Sequence, residues 1–205
     1  MSGPSGRRTG AAGSDRPGRV GVPLLLLLLL LLASVVTGCS GRGTAEGVEP
    51  LARAEGWRDA LVDHLESGTY TILEIAYDRA TAQRAWAENV PDGLPEGSRA
   101  LDRDGRYGSL DDVDLATHVL VVWSGGSTSC PGWLYGVDTD DGVVRATTRE
   151  RVEGNGCADI FVAYRMVLAV ERGLLPDAAS LPARLVIDGR DFGSRALVTA
   201  YPAGS

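Results

Sequence analysis

The chain has 205 residues, with 27 acidic and 20 basic side chains and a formal net charge of −7. All of the basic residues are arginine, and no lysine is present. An acidic excess of this size argues against nucleic acid and anionic lipid headgroups as partners. The length suits a single domain that follows an N-terminal leader.

The first 38 residues have the layout of a bacterial lipoprotein signal peptide. Arginines precede an apolar run from Pro23 to Val36 that contains nine consecutive leucines. The run of about 14 residues is shorter than the roughly 20 that a membrane-spanning helix needs. It ends in the letters VTGC, which resemble a lipobox. We therefore expect residues 1–38 to be removed and Cys39 to carry acyl chains such as palmitate. The alternative is an ordinary secretory signal with a chance cysteine.

The processed chain is predicted to be a tethered extracytoplasmic domain. Residues 39–49 comprise the lipidated cysteine and a flexible, polar tether, and residues 50–205 form the single domain. Removal of the leader leaves 16 basic and 26 acidic residues, a formal charge of −10. We expect this domain to face the extracytoplasmic side of the cell membrane, attached to lipid through Cys39.

The two remaining cysteines, Cys130 and Cys157, are predicted to form a disulfide. Outside the cytoplasm, two thiols in one small domain usually pair. Closing this 28-residue loop would stabilise the fold by roughly 3.5 kcal/mol. A zinc site would need four ligands, and the only histidines are His64 and His118. A metal site and a reactive thiol remain the alternatives.

The N-terminal half of the domain is predicted to contain two helices. Over residues 50–67, apolar side chains recur at every fourth position from Trp57, and Pro50 suits a first helical turn. Over residues 79–90, Asp78 is a suitable N-cap, and a proline follows the helix.

The rest of the domain is predicted to be β-structure. Asp-Gly between the alternating runs WLYGVDT and VVRATTRE predicts a hairpin. The turn-rich residues 91–109 are predicted to be irregular. Further strands are predicted at residues 69–77, 117–124, 161–171, 183–189 and 195–201. The predicted fold class is α+β, a mainly antiparallel sheet with two helices in the N-terminal half, stapled by one disulfide.

No catalytic or nucleotide-binding motif occurs in the chain. We therefore predict a non-enzymatic protein with no catalytic residues, no cofactor and no metal. The acidic cluster Asp111, Asp112 and Asp114 could hold a cation or act as a paired acid and base, although short acidic runs before a strand are mostly solvated caps. The alternative function is a small hydrolase of cell-wall or peptide substrates that uses Asp111 and Asp114.

Two tryptophans border the glycine-rich stretch SGGSTSCPG. Trp123 precedes it and Trp133 follows it. They could pack over the disulfide as core residues, or they could edge a loop that binds glycan or peptide.

The order of the segments ATAQRAWAENVP, VDLATHVLVVWSGG, SCPGW and ERGLLP resembles small actinobacterial lipoproteins. More distantly, it resembles the PrcB-type protease-complex-associated domain of bacterial envelope lipoproteins. The resemblance covers about residues 69–190, with STSCPGW where that family commonly has a TGGY-like turn. It implies an accessory or binding module, with no catalytic residues to carry over. We expect a membrane-anchored lipoprotein that binds another envelope protein or a peptidase.

Overall fold

The computed structural model describes residues 44–98, 101, 103–127, 132–149 and 160–203. Cys39, Cys130 and Cys157 lie outside these ranges, so the predicted lipidation and disulfide do too. The described strands are β1 Val48–Glu55, β2 Thr71–Ala76, β3 Gly105–Arg106, β4 His118–Ser127, β5 Trp133–Asp140, β6 Val143–Arg149, β7 Val162–Glu171, β8 Ala183–Ile187, β9 Arg190–Asp191 and β10 Ala196–Ala200. The described helices are α1 Val62–Glu66 and α2 Arg79–Asn89, and short 3₁₀ turns join several elements.

The predicted α+β fold with a mainly antiparallel sheet is wrong. In the described part of the chain, the regular structure is dominated by one mixed sheet of ten strands. Its order is β3-β1-β7-β4-β2-β10-β8-β6-β5, and β9 pairs with β8. The pairs β2–β10 and β6–β8 are parallel. Both parallel pairs arise because β8 and β10, which come late in the chain, lie between β2 and β6 in the sheet. The apolar pattern of a strand does not specify which other strands it pairs with.

The predicted helix over residues 50–67 is also wrong. Most of its first half belongs to β1, which pairs antiparallel with β7 from Val48 to Glu55. Both faces of β1 are covered, since Val48 packs into one hydrophobic cluster and Leu51 into the other. A strand buried on both faces does not show the alternation that identifies a half-buried strand. Tertiary pairing therefore overrides the helix-like spacing, and only the five residues of α1 are α-helical.

The second predicted helix and the hairpin are confirmed. The Asp78 side chain caps α2 by accepting a hydrogen bond from the Thr81 backbone N–H at 2.9 Å. In the β5–β6 hairpin, Asp141 and Gly142 have φ values of 50° and 73°. Two positive values are what a tight two-residue turn of this type requires.

The sheet curls so that β5, at one end of the strand order, returns beside β1. Near this seam the Ala45 N–H donates to the Tyr135 carbonyl at 2.7 Å. The inner face carries the main core, whose large members include Leu73, Trp123, Leu134, Met166, Leu168 and Leu185. On the opposite face, Ala82 and Ala85 of α2 pack in a second cluster with β1, β2, β4 and β7. One open end of the inner face carries the candidate site.

Candidate ligand-binding cleft

A cleft of about 250 Å³ lies at the end of the sheet where β2 and β7 begin and β4 ends. Its inner wall contains Thr71 of β2, Trp123 of β4 and Tyr164 of β7. Trp123 is 2% exposed and Tyr164 is 4% exposed, so both rings belong to the core as well as to the cleft. The wall is therefore fixed by the packing of the sheet.

Gly125 allows the two wall aromatics to approach one another. It pairs with Tyr164 across the β4–β7 ladder. A Cβ atom at position 125 would lie 2.8 Å from the Trp123 Nε1 atom and 3.5 Å from the Tyr164 hydroxyl oxygen. The first distance is shorter than van der Waals contact, so a side chain here would displace the indole. The glycine thus sets the shape of the inner wall.

The Trp123 indole N–H has no hydrogen-bond partner among the described residues. The neighbouring Trp57 differs, because its indole N–H donates to the Gly125 carbonyl at 2.8 Å. Leaving a buried donor unpaired costs about 1–3 kcal/mol. The cleft lining thus includes a polar group that the described residues leave without a partner.

The wall opposite β2 is held by a hydrogen-bonded turn. Thr148 lines the cleft, and both its backbone N–H and its hydroxyl donate to the Asp188 carboxylate, at 2.8 Å and 2.6 Å. Asp188 has a φ of 48° in the turn between β8 and β9. Ile187, just before this turn, also lines the cleft. The β8–β9 turn is therefore hydrogen-bonded to the end of β6, and these bonds occupy the Asp188 carboxylate.

Aromatic side chains are exposed around the mouth of the cleft. Tyr70 and Phe192 line it and are 45% and 43% exposed. Phe161 is 54% exposed, and its ring meets the Tyr70 ring edge to face at 6.0 Å. It also covers Gly126, where an added Cβ would overlap the ring at 1.9 Å. We call Tyr70, Phe161 and Phe192 the aromatic rim; they are three of the five large hydrophobic residues exposed in the described ranges.

The two tryptophans singled out from the sequence lie in different settings. Trp123 lines the cleft, whereas Trp133 packs in the core against Tyr107, edge to face at 5.4 Å. The Arg53 guanidinium lies 5.0 Å from the Trp133 ring centre and 5.6 Å from that of Tyr164. Burial lowers the pKa of Arg53, and the opposing influence is Asp104, 3.2 Å away. A buried cation therefore lies beside Tyr164 of the inner wall.

The carboxylates proposed for a hydrolase lie away from the cleft. Asp111 and Asp112 form an exposed 3₁₀ turn before β4. The Asp114 carboxylate accepts hydrogen bonds from the Ala116 N–H at 2.9 Å and the Thr117 hydroxyl at 3.1 Å. These bonds lower the pKa of Asp114. The cluster precedes the first residue of β4, whereas the cleft lies at the other end of this ten-residue strand.

The structure also contains an ionic cluster, buried at Glu74 and Arg58, that the sequence did not reveal. Glu74 on β2 is 2% exposed and pairs with Arg58 at 2.5 Å. Glu88 lies 3.6 Å from the same guanidinium and accepts a hydrogen bond from the Tyr201 hydroxyl at 2.5 Å. Burial raises the pKa of Glu74, with Arg58 acting in the opposite direction. This cluster joins β2, α2 and the residue after β10, so its contacts serve the fold.

Comparison of the chain with family models, curated protein sequences and solved structures gave no match. In the described ranges, no three or more His, Cys, Asp and Glu side chains group closely enough to hold a metal ion. No helix in that same part of the chain has the length and apolar character to span a membrane.

Proposed function

We propose that this chain is a lipid-anchored extracytoplasmic binding module, which engages another envelope protein by taking one of its apolar side chains into the cleft. The observation that carries the proposal is the aromatic rim around a preformed, largely apolar cleft. Exposed aromatic side chains are costly to keep in water, and their concentration at one place is typical of an interaction surface.

The size of the cleft favours a side chain over a whole small molecule. Small-molecule sites usually have volumes of roughly 300–1,000 Å³, and this cleft has about 250 Å³. A single aromatic or large aliphatic side chain fits such a space. Anchors of this kind, inserted into a pocket and surrounded by further contacts, supply much of the energy of protein–protein interfaces.

Crosslinking in intact cells tests this use of the cleft. A photocrosslinking aromatic amino acid replaces Phe192 on the rim, or, as the control, Val62 on α1. Val62 is also 43% exposed but is outside the cleft lining. We expect one discrete adduct from position 192, at least tenfold stronger than any from position 62. Adducts of equal strength from the two positions, or none from position 192, would contradict the proposal.

The lipid anchor is tested separately by the substitution Cys39→Ala. Because the thiol of Cys39 is the atom that would be acylated, this variant should leave the membrane fraction or remain unprocessed. Intact-mass measurement of the wild-type protein should show a chain that begins at Cys39 and carries added acyl mass. A wild-type chain without acyl groups would refute the anchor, with no consequence for the cleft.

A further inference from the structure

We infer that the cleft recognises the C-terminal residue of a partner polypeptide, with the apolar side chain in the cleft and the terminal carboxylate on Arg195. This inference rests on the proposed function and specifies its ligand. It depends on three features of the described residues. These are an arginine without a partner at the mouth, nearby acidic groups that already have partners, and the small volume of the cleft.

Arg195 is positioned between two members of the aromatic rim. Its backbone carbonyl accepts a hydrogen bond from the Tyr70 N–H at 2.9 Å, and its own N–H donates to the Phe192 carbonyl at 3.2 Å. The exposed side chain lines the cleft. Among the described residues, its guanidinium has no ion-pair or hydrogen-bond partner. Within the described part of the chain, the mouth of an apolar cleft therefore carries a cation without a partner.

The acidic side chains of the adjacent β8–β9 hairpin do not compete for this cation. Asp188 accepts the two hydrogen bonds from Thr148. Asp191 pairs with Arg184 at 2.5 Å and accepts from the Gly193 N–H at 2.9 Å. Within the described ranges, Asp188 and Asp191 are therefore occupied and leave Arg195 available to an anion from outside. A guanidinium can hold a carboxylate in a bidentate arrangement.

The C-terminal residue of a polypeptide suits the small volume of the cleft. Arg195 and the apolar wall line the same cleft of about 250 Å³, so a single residue of the ligand can supply both the apolar group and the anion. A C-terminal residue with an aromatic or large aliphatic side chain carries both on one Cα atom. An internal aspartate or glutamate carries the anion but no apolar group. Capture of a terminal carboxylate is one of the recurring modes of peptide recognition.

Binding of synthetic peptides to the purified full chain tests the inference. The probes are two hexapeptides of one sequence ending in phenylalanine, one with a free carboxylate and one with a C-terminal amide. Titration calorimetry should show that the free acid binds at least tenfold more tightly. Arg195→Gln should remove this difference, weakening the acid to the level of the amide and leaving the amide unchanged. Arg190→Gln, a control on β9 outside the cleft lining, should retain it.

Any of four outcomes would overturn the inference. The acid and amide could bind equally well, or Arg195→Gln could weaken both by the same factor, or neither could bind at millimolar concentration. If N-acetylphenylalanine alone bound as tightly as the hexapeptide, the ligand would be a small carboxylic acid and not a polypeptide terminus. The photocrosslink at position 192 would persist if only the carboxylate assignment failed, and its absence would show that the proposed function had failed.

Discussion

Replacing Arg58 by methionine is expected to lower the free energy of unfolding by about 3–5 kcal/mol, because it leaves a buried carboxylate without its cation. The Glu74 side chain is 3% exposed and that of Arg58 is 10% exposed, so water cannot substitute for the lost guanidinium. Arg58 also lies over the Tyr201 ring, 4.9 Å from its centre. Methionine keeps an aliphatic chain in this space. Urea unfolding of wild type and Arg58→Met at pH 7 measures the difference.

The pH dependence of this loss of stability distinguishes an effect of charge from an effect of packing. Burial already raises the pKa of Glu74, and removing Arg58 should raise it further. The deficit of Arg58→Met should therefore be full above that raised pKa and should shrink as the pH falls below it, when Glu74 becomes neutral. The double variant Arg58→Met with Glu74→Gln should recover much of the stability at pH 7. A deficit that is the same at every pH and in the double variant would show that the ionic account is wrong.

The sequence predicted local elements well wherever neighbouring residues determine them. The cap at Asp78 specified α2, and the Asp-Gly turn specified the β5–β6 hairpin. It failed for β1, whose strand conformation depends on pairing with β7, more than 100 positions away. It also failed to give the mixed sheet, because the place of β10 beside β2 is set by tertiary packing. Contacts between distant segments leave little trace in a local pattern.

The candidate site was predicted only in part, for a similar reason. Trp123 was singled out because it precedes a glycine-rich stretch, and it does line the cleft. The rim and Arg195 were missed, because they come from separate turns that meet only when β7, β4, β2 and β10 lie side by side in the sheet. One local signal existed: Phe192 is an aromatic residue inside the turn-forming stretch DGRDFGS. An apolar ring in such a turn gains nothing from local structure, which suggests a role in binding.

The substitution Leu134→Ala is expected to destabilise the domain by about 2–5 kcal/mol, as for other large-to-small changes in a packed core. Leu134 lies on β5, which ends the strand order, yet its side chain is 0% exposed. An edge strand of an open sheet would leave one side of such a residue uncovered. The complete burial follows from the curl of the sheet, which returns β5 to β1.

Tyr135→Ala provides the matched control, because the neighbouring Tyr135 is only partly buried and carries the Arg149 guanidinium over its ring at 3.3 Å. That variant should lose less than half as much stability in urea unfolding. Equal losses in the two variants, or a loss below about 1 kcal/mol for Leu134→Ala, would show that β5 is an ordinary exposed edge. The part of the cleft wall at the end of β6 would then not be backed by a fully packed core.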